Sequence, residues 1–138
     1  MWRREAEAEL LPTLRELGIA LVGWSPLGSG FLTGTVASLD KNDFRQNNPR
    51  YTGANLSINR DRFAPFMAVA RELNVTPAQL ALAWLLHQGQ DIFPIPGTRR
   101  ADRVEENARS ADIRLTPELL ERIDVLARPG IAEGATLL

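Results

Sequence analysis

The sequence contains no cysteine, and histidine, lysine and tyrosine each occur only once in its 138 residues. Without cysteine, neither a disulfide framework nor a thiolate metal site can form. The single histidine, His87, leaves too few ligands for a typical zinc centre. We therefore predict no metal site in this chain.

Long apolar runs are also missing. No stretch approaches the roughly 20 apolar residues that cross a bilayer, and the charged first residues, MWRREA, lack the apolar core of an export signal. The net charge of −1 gives no overall field that would attract nucleic acid or an anionic membrane. These absences predict a cytoplasmic protein that binds neither nucleic acid nor membrane.

Helical spacing of apolar side chains is the clearest pattern that is present. It predicts a helix within residues 5–17 and another around Phe63 and Phe66, for which Asn59 or Asp61 would supply the N-cap. The run Thr76-Pro77-Ala78-Gln79 has the form of a capping box and opens a helix that is apolar on most sides and therefore deeply packed. Two further helices are predicted to begin near Arg100 and at Thr116.

Short continuous apolar runs at residues 19–24 and 92–96 predict two buried strands. Their alternation with helices predicts an α/β fold with a parallel sheet. Two parallel strands leave edges and apolar faces uncovered, so they make no stable sheet alone. We therefore expect residues 1–138 to form one partial domain of a larger unit, which alone would be poorly stable or would self-associate through exposed apolar surface.

A long polar segment, residues 39–59, separates the first loop from the next helix. It has no clear period, and loops of this length are usually functional or mobile. Its phrase DFRQNNPRY, residues 43–51, combines basic, amide and aromatic groups. Two interpretations remain open, a flap over a ligand and a disordered segment.

The stretch that follows the second strand has the features of an anion site. Gly97 permits close approach of the backbone, and the helix that begins near Arg100 presents unpaired N–H groups and the positive end of its dipole. Arg99, Arg100 and Arg103 add planar guanidinium groups that suit a phosphate monoester. The alternative is a solvated helix start in which these arginines pair with acidic neighbours on the same helix. Those neighbours are Asp102, Glu105 and Glu106.

Several motifs, in order and at matching spacing, resemble the C-terminal part of the aldo/keto reductases over nearly the whole chain. They are GWSPLGSGFLTG at residues 23–34, DFR at 43–45 with PR at 49–50, LALAWLL at 80–86, PIPGTR at 94–99 and EEN at 105–107. The resemblance implies that the chain is the C-terminal portion of a (β/α)8 TIM barrel, incomplete on its own. It further implies strands seven and eight of that barrel at residues 19–24 and 92–96.

The same resemblance implies a nicotinamide dinucleotide, NADPH rather than NADH, as cofactor. The position of Trp24 matches the aromatic residue that stacks on the nicotinamide ring; core packing is the alternative for this side chain. The other implied contacts lie in the two loops and the helix after them. They are Ser25, Leu27, Gly28 and Gly30 for the pyrophosphate, Gly97, Thr98, Arg99, Arg100 and Arg103 for the 2′-phosphate, and Glu106 and Asn107 for the adenine.

Catalysis in that family is hydride transfer to a carbonyl carbon, with a tyrosine as general acid tuned by a lysine, an aspartate and usually a histidine. Lys41, Tyr51 and His87 are the only residues of their types here, and none lies in the family's catalytic motif. We assign no catalytic residue. Small carbonyl substrates are therefore expected only in a complete barrel.

Two function classes follow. In the first, the chain is the cofactor-binding part of an NAD(P)H-dependent aldo/keto reductase that lacks the catalytic tetrad and has no activity by itself. In the second, it is a non-catalytic, truncated module that binds a nucleotide weakly or docks on a partner.

Overall fold

Residues 1–136 are described by a computed structural model with an α/β fold. The helices are α1 (Leu10–Glu16), α2 (Asn55–Glu72), α3 (Pro77–Leu86), α4 (Ala101–Ala108) and α5 (Pro117–Leu126). The strands are β1 (Leu21–Trp24) and β2 (Ile92–Ile95), joined into a parallel sheet. Both predicted strands and the predicted parallel pairing are confirmed. The predicted burial of the strands is wrong, because Ile92 alone among their residues is buried.

The sheet is covered on one face only. Helix α3 packs against β2, and Ile92 is buried there. On the opposite face, side chains from alternate positions of both strands are each more than half exposed: Val22, Trp24, Phe93 and Ile95. Within the described residues each strand pairs only with the other. One apolar sheet face and two strand edges are therefore open.

The core lies among the helices rather than over the sheet. Trp84 and Leu80 of α3 pack with Phe63 and Phe66 of α2 and with Ile123 of α5, all fully or almost fully buried. The predicted capping box is confirmed, because the Thr76 hydroxyl accepts from the Gln79 backbone N–H while the Gln79 side chain accepts from the Thr76 N–H, both at 3.1 Å. The deep packing of this helix is confirmed too.

The helix predicted within residues 5–17 is confirmed as α1, which follows a 3-10 turn at Glu5–Glu7. The predicted start of the next helix is wrong. Helix α2 begins at Asn55 rather than after Asn59 or Asp61. Asn59 does not cap it because its side chain is fully buried and bonds to segments distant in the chain.

None of the helices within residues 1–136 has both the length and the apolar character that a bilayer crossing requires.

Candidate functional site

The carboxyl ends of both strands meet at one edge of the sheet. The register pairs Trp24 with Ile95, so the loop at residues 25–30 and the loop at residues 96–100 leave the sheet side by side. Trp24 is 63% exposed, on the open face. The alternative interpretation of Trp24 as a core residue is therefore wrong for this structure. All predicted site residues lie on these two loops, at the end of β1 or on α4.

The 25–30 loop has an unusual backbone. Gly28 and Gly30 have φ values of 55° and 92°, and two serines, Ser25 and Ser29, are also left-handed at 48° and 50°. Residues other than glycine rarely adopt this conformation, and it persists only where surrounding contacts impose it. Within the loop, the Ser29 N–H donates to Ser25 Oγ at 3.2 Å and the Gly28 N–H to the Ser25 carbonyl at 2.9 Å.

The polar segment that precedes α2 makes hydrogen bonds to the 25–30 loop. It forms two 3-10 turns, Phe44–Asn47 and Pro49–Tyr51, so of the two interpretations left open the disordered segment is wrong. The Tyr51 hydroxyl donates to the Gly28 carbonyl, and Arg45 Nη1 donates to the Ser29 carbonyl at 3.0 Å. Arg45 and Tyr51 thus bond to the backbone of the 25–30 loop. The sequence pattern did not predict this role for either residue. The only sign of it in the sequence was that the polar segment contains arginine and the single tyrosine.

The Asp43 carboxyl and the Tyr51 hydroxyl both have shifted pKa values. Arg45 donates from Nε and Nη2 to both carboxylate oxygens of Asp43, at 2.6 to 3.2 Å. These bonds lower the pKa of Asp43 to about 2, so the ion pair is complete at neutral pH. Burial raises the pKa of Tyr51 to about 12, which keeps the phenol protonated and able to donate.

Gly28 also faces an aromatic ring. A Cβ atom at this position would lie 2.8 Å from Cγ and Cδ1 of Trp2, whose indole ring stacks on Phe31 with a centroid distance of 4.0 Å. Gly97 in the second loop has no heavy atom within 4 Å of such a Cβ and no positive φ. The two loops therefore use glycine for different reasons.

This contrast gives a prediction. Gly28→Ala is expected to destabilise the chain by about 2 kcal/mol, because the methyl group meets the Trp2 ring and a left-handed alanine costs roughly 1–2 kcal/mol. Gly97→Ala is the matched control and is expected to change the free energy of unfolding by less than about 0.5 kcal/mol. Urea denaturation of both variants measures the difference. Equal destabilisation by the two substitutions would contradict this account of Gly28.

The start of α4 carries the predicted basic cluster. Arg100 occupies the N-cap position without a side-chain bond to the helix backbone, and its backbone N–H donates to Thr98 Oγ1 at 3.2 Å. Its guanidinium pairs instead with Asp102, with Nε 3.0 Å from Oδ1. Arg103 pairs with Glu106. Arg99 makes no hydrogen bond or ion pair with any part of the chain between residues 1 and 136.

The predicted alternative, in which the arginines pair with acidic neighbours, therefore holds for Arg100 and Arg103. Glu105 was expected to share in this pairing, but it faces Arg109 at 4.0 Å instead. Pairs between exposed groups like Arg100 and Asp102 contribute only about 0–1 kcal/mol. The Arg100 guanidinium can therefore exchange its carboxylate partner for a phosphate at little cost.

Glu106 and Asn107 have different surroundings. Glu106 Oε1 accepts from the Thr76 hydroxyl at 2.7 Å, and its backbone carbonyl accepts from Gln79 Nε2 at 3.1 Å, so it joins α4 to the start of α3. Asn107 borders an apolar groove of about 350 Å³ that also contacts Phe93, Pro96 and Thr98. A groove of this size and lining lies within the range of small-molecule sites.

The remaining candidates for acid-base chemistry are engaged in the fold. His87 Nδ1 lies 2.8 Å from the Ala83 carbonyl, and Nε2 accepts from the Leu115 backbone N–H at 3.2 Å. These partners define a neutral imidazole with its proton on Nδ1. Tyr51 is 3% exposed and bonded to the loop, whereas Lys41 lies exposed in the polar segment.

A model of the aldo/keto reductase family matches residues 1–128 of the chain. The chain belongs to the aldo/keto reductase family. Among solved structures, it is similar to a thermostable aldo-keto reductase determined with the inhibitor epalrestat. The TM-score is 0.62, the sequence identity is 23%, and the match covers 89% of this chain. At this identity the likeness supports the shared fold. The chain spans 35% of the length of that protein.

Proposed function

We propose that this chain is the dinucleotide-binding part of an NAD(P)H-dependent aldo/keto reductase and forms the C-terminal portion of its (β/α)8 barrel. The observation that carries the proposal is the pairing of Trp24 with Ile95, which brings a strained glycine and serine loop and an arginine cluster to one sheet edge. In barrel enzymes, ligands bind at the carboxyl ends of the strands. The open edges of the two-stranded sheet are where the other barrel strands would pair.

The residues present fit an extended dinucleotide. Trp24 offers an exposed ring face on which the nicotinamide stacks. Ser25, Leu27, Gly28 and Gly30 present a tight turn to the pyrophosphate, since glycine permits close backbone approach. The bound cofactor would supply a hydride for a carbonyl carbon, whereas this chain binds and orients it.

The adenosine end would be bound by α4 and the loop before it. Gly97 and Thr98 lead to Arg99, Arg100 and Arg103, whose charges favour a 2′-phosphate and hence NADPH over NADH. The apolar groove beside Asn107 suits a flat purine ring, and the Asn107 amide can donate to and accept from the edge of the adenine. Glu106 would reach the adenine only by giving up its bond to Thr76.

We assign no catalytic residue within the chain. Tyr51 and His87 use their polar atoms in backbone hydrogen bonds, and neither forms a hydrogen bond with a carboxylate or lysine among residues 1–136. The family's acid-base groups would come from the remainder of a complete barrel. Turnover is therefore not expected from residues 1–138 alone.

A second candidate is a non-catalytic docking module. It is favoured by the open sheet face formed by Val22, Trp24, Phe93 and Ile95, since contiguous exposed apolar surface marks interaction sites. Such a module would bury Trp24 against a partner or a second copy of the chain. Trp24 would then be unavailable to a cofactor.

Titration with NADPH and with NADH, followed by tryptophan fluorescence and by calorimetry, tests the proposed function. We expect saturable quenching that is tighter for NADPH. Trp24→Phe should remove most of the quenching while calorimetric affinity changes by less than about tenfold, because one aromatic ring replaces another. Buried Trp84 would report little. Absence of saturation by either dinucleotide, with concentration-dependent association in sedimentation velocity, would favour the docking module.

A further inference from the structure

The 25–30 loop is held both by bonds within it and by contacts from outside it. Two non-glycine residues, Ser25 and Ser29, are left-handed. Three bonds lie within the loop, from the Ser29 and Gly28 N–H groups to Ser25 and from the Gly30 N–H to the Leu27 carbonyl. Strained backbone of this kind persists where neighbouring structure over-determines it. The neighbours here belong to a segment that begins more than a dozen residues later in the chain.

Two carbonyl groups of the loop are held by that segment. The Gly28 carbonyl accepts from the buried Tyr51 hydroxyl, and the Ser29 carbonyl accepts from Arg45 Nη1 at 3.0 Å. Both carbonyl groups therefore point toward Tyr51 and Arg45. Neither carbonyl faces the opposite side of the loop. Asp43 orients the guanidinium through a bidentate pair, and the Arg45 guanidinium carbon lies 5.8 Å from the centre of the Tyr51 ring.

We propose that Tyr51 and Arg45 are positioning residues of the dinucleotide site, which hold the 25–30 loop in the conformation that receives the pyrophosphate. This inference rests on the proposed function. It differs from a direct phosphate contact, because three of the five guanidinium N–H groups of Arg45 are bonded to Asp43 and Ser29. Neither residue touches the reacting atoms.

The positioning role of Tyr51 and Arg45 predicts a specific pattern in the affinities for NADPH and NADH. The pyrophosphate is common to NADPH and NADH, so loss of the loop conformation should weaken both equally. Loss of an arginine from the α4 cluster should weaken NADPH alone. The ratio of the two affinities therefore separates the two parts of the site, whereas a purely structural role would lower thermal stability and leave both affinities unchanged.

The experiment uses Tyr51→Phe, which keeps the ring and removes the hydroxyl, in the full chain. We expect affinities for NADPH and NADH to fall together by about tenfold, since the Gly28 carbonyl keeps the Phe31 N–H but loses the Tyr51 hydroxyl that ties it to the polar segment. Backbone amide exchange at residues 28–30 should accelerate without any ligand. Gln46→Ala is the matched control, because it removes a bond to the Asp40 carbonyl in the same segment and makes none to the loop.

Arg45→Lys separates position from charge. Lysine keeps the cation and loses the planar fork, so the proposal expects weaker binding of both dinucleotides, like that of Tyr51→Phe. Unchanged affinity in Arg45→Lys would show that charge alone matters, and would overturn the positioning role of Arg45. Unchanged affinity and unchanged exchange in Tyr51→Phe would overturn the role of Tyr51.

The same measurements distinguish failure of the proposed cofactor binding from failure of the positioning role. If the unmodified chain binds neither dinucleotide, cofactor binding is wrong, and amide exchange at residues 28–30 still decides whether Tyr51 constrains the loop. Faster exchange in Tyr51→Phe than in Gln46→Ala would support the constraint. Equal exchange in the two variants would overturn it.

Discussion

Replacing Arg99, Arg100 and Arg103 together by alanine is expected to weaken NADPH binding about a hundredfold and to change NADH binding less than about threefold. Each hydrogen bond to a charged group contributes about 1.5–3 kcal/mol. Two of the three arginines must first leave their partners, Arg100 the exposed Asp102 at a cost of about 0–1 kcal/mol and Arg103 the half-buried Glu106 at about 1 kcal/mol. The net loss of about 2.8 kcal/mol corresponds to two powers of ten.

Calorimetric titration at low and at moderate salt measures this difference. The NADPH preference should shrink as salt rises, because exposed charges are screened over about 10 Å at 0.1 M. Arg109→Ala is the matched control, since Arg109 is an exposed arginine near the other end of α4 and faces Glu105. Arg99→Ala is the cleanest single variant, as Arg99 has no bonded partner among residues 1–136 to lose. Equal weakening of NADPH and NADH would contradict the 2′-phosphate assignment.

Asn59→Ala is expected to lower the free energy of unfolding by about 3 kcal/mol or more. The Asn59 amide donates to the carbonyls of Arg50 and Glu133, each at 3.0 Å, and its oxygen accepts from the Glu133 N–H at 2.6 Å. Alanine would leave these backbone groups without their partner, and each unsatisfied buried group costs about 1–3 kcal/mol. Domains are stable by only about 5–15 kcal/mol, so this is a large fraction.

Chemical denaturation with urea checks the value. Asn42→Ala is the control, because Asn42 is exposed in the polar segment, and it should stay within about 0.5 kcal/mol of the unmodified chain. Asn59→Asp should cost at least as much as alanine, since a carboxylate would face two carbonyl oxygens and bury a charge. A loss below about 1 kcal/mol in Asn59→Ala would show that water replaces the three bonds.

The sequence alone locates the first of these two effects, on NADPH binding, but not the second, on stability. The Arg99, Arg100 and Arg103 cluster stands out because it follows a strand and opens a helix, and both features are local. Asn59 is one of several asparagines in a polar stretch, and local pattern assigned it to a helix cap. Its true partners are as many as 74 residues away, so no window of neighbouring residues contains them.

Local signals were reliable wherever the partner lies within about four residues. The Thr76 and Gln79 capping box and the Thr116 cap on the Leu119 N–H are of this kind, because the same few residues both carry the pattern and satisfy it. The strands were equally predictable, since continuous apolar runs of this length suit few other structures. The placement of both loops at one sheet edge follows from parallel pairing.

The sequence by itself determined the α/β class, the order of the elements, the two loops and the position of the basic cluster. Only the tertiary structure decided which side chains surround those loops. It tied Glu106 to Thr76, buried Asn59 and placed the Tyr51 hydroxyl against the Gly28 carbonyl. The physical reason is that burial and hydrogen bonding between distant segments depend on how the chain packs, whereas propensity and periodicity depend only on neighbours along it.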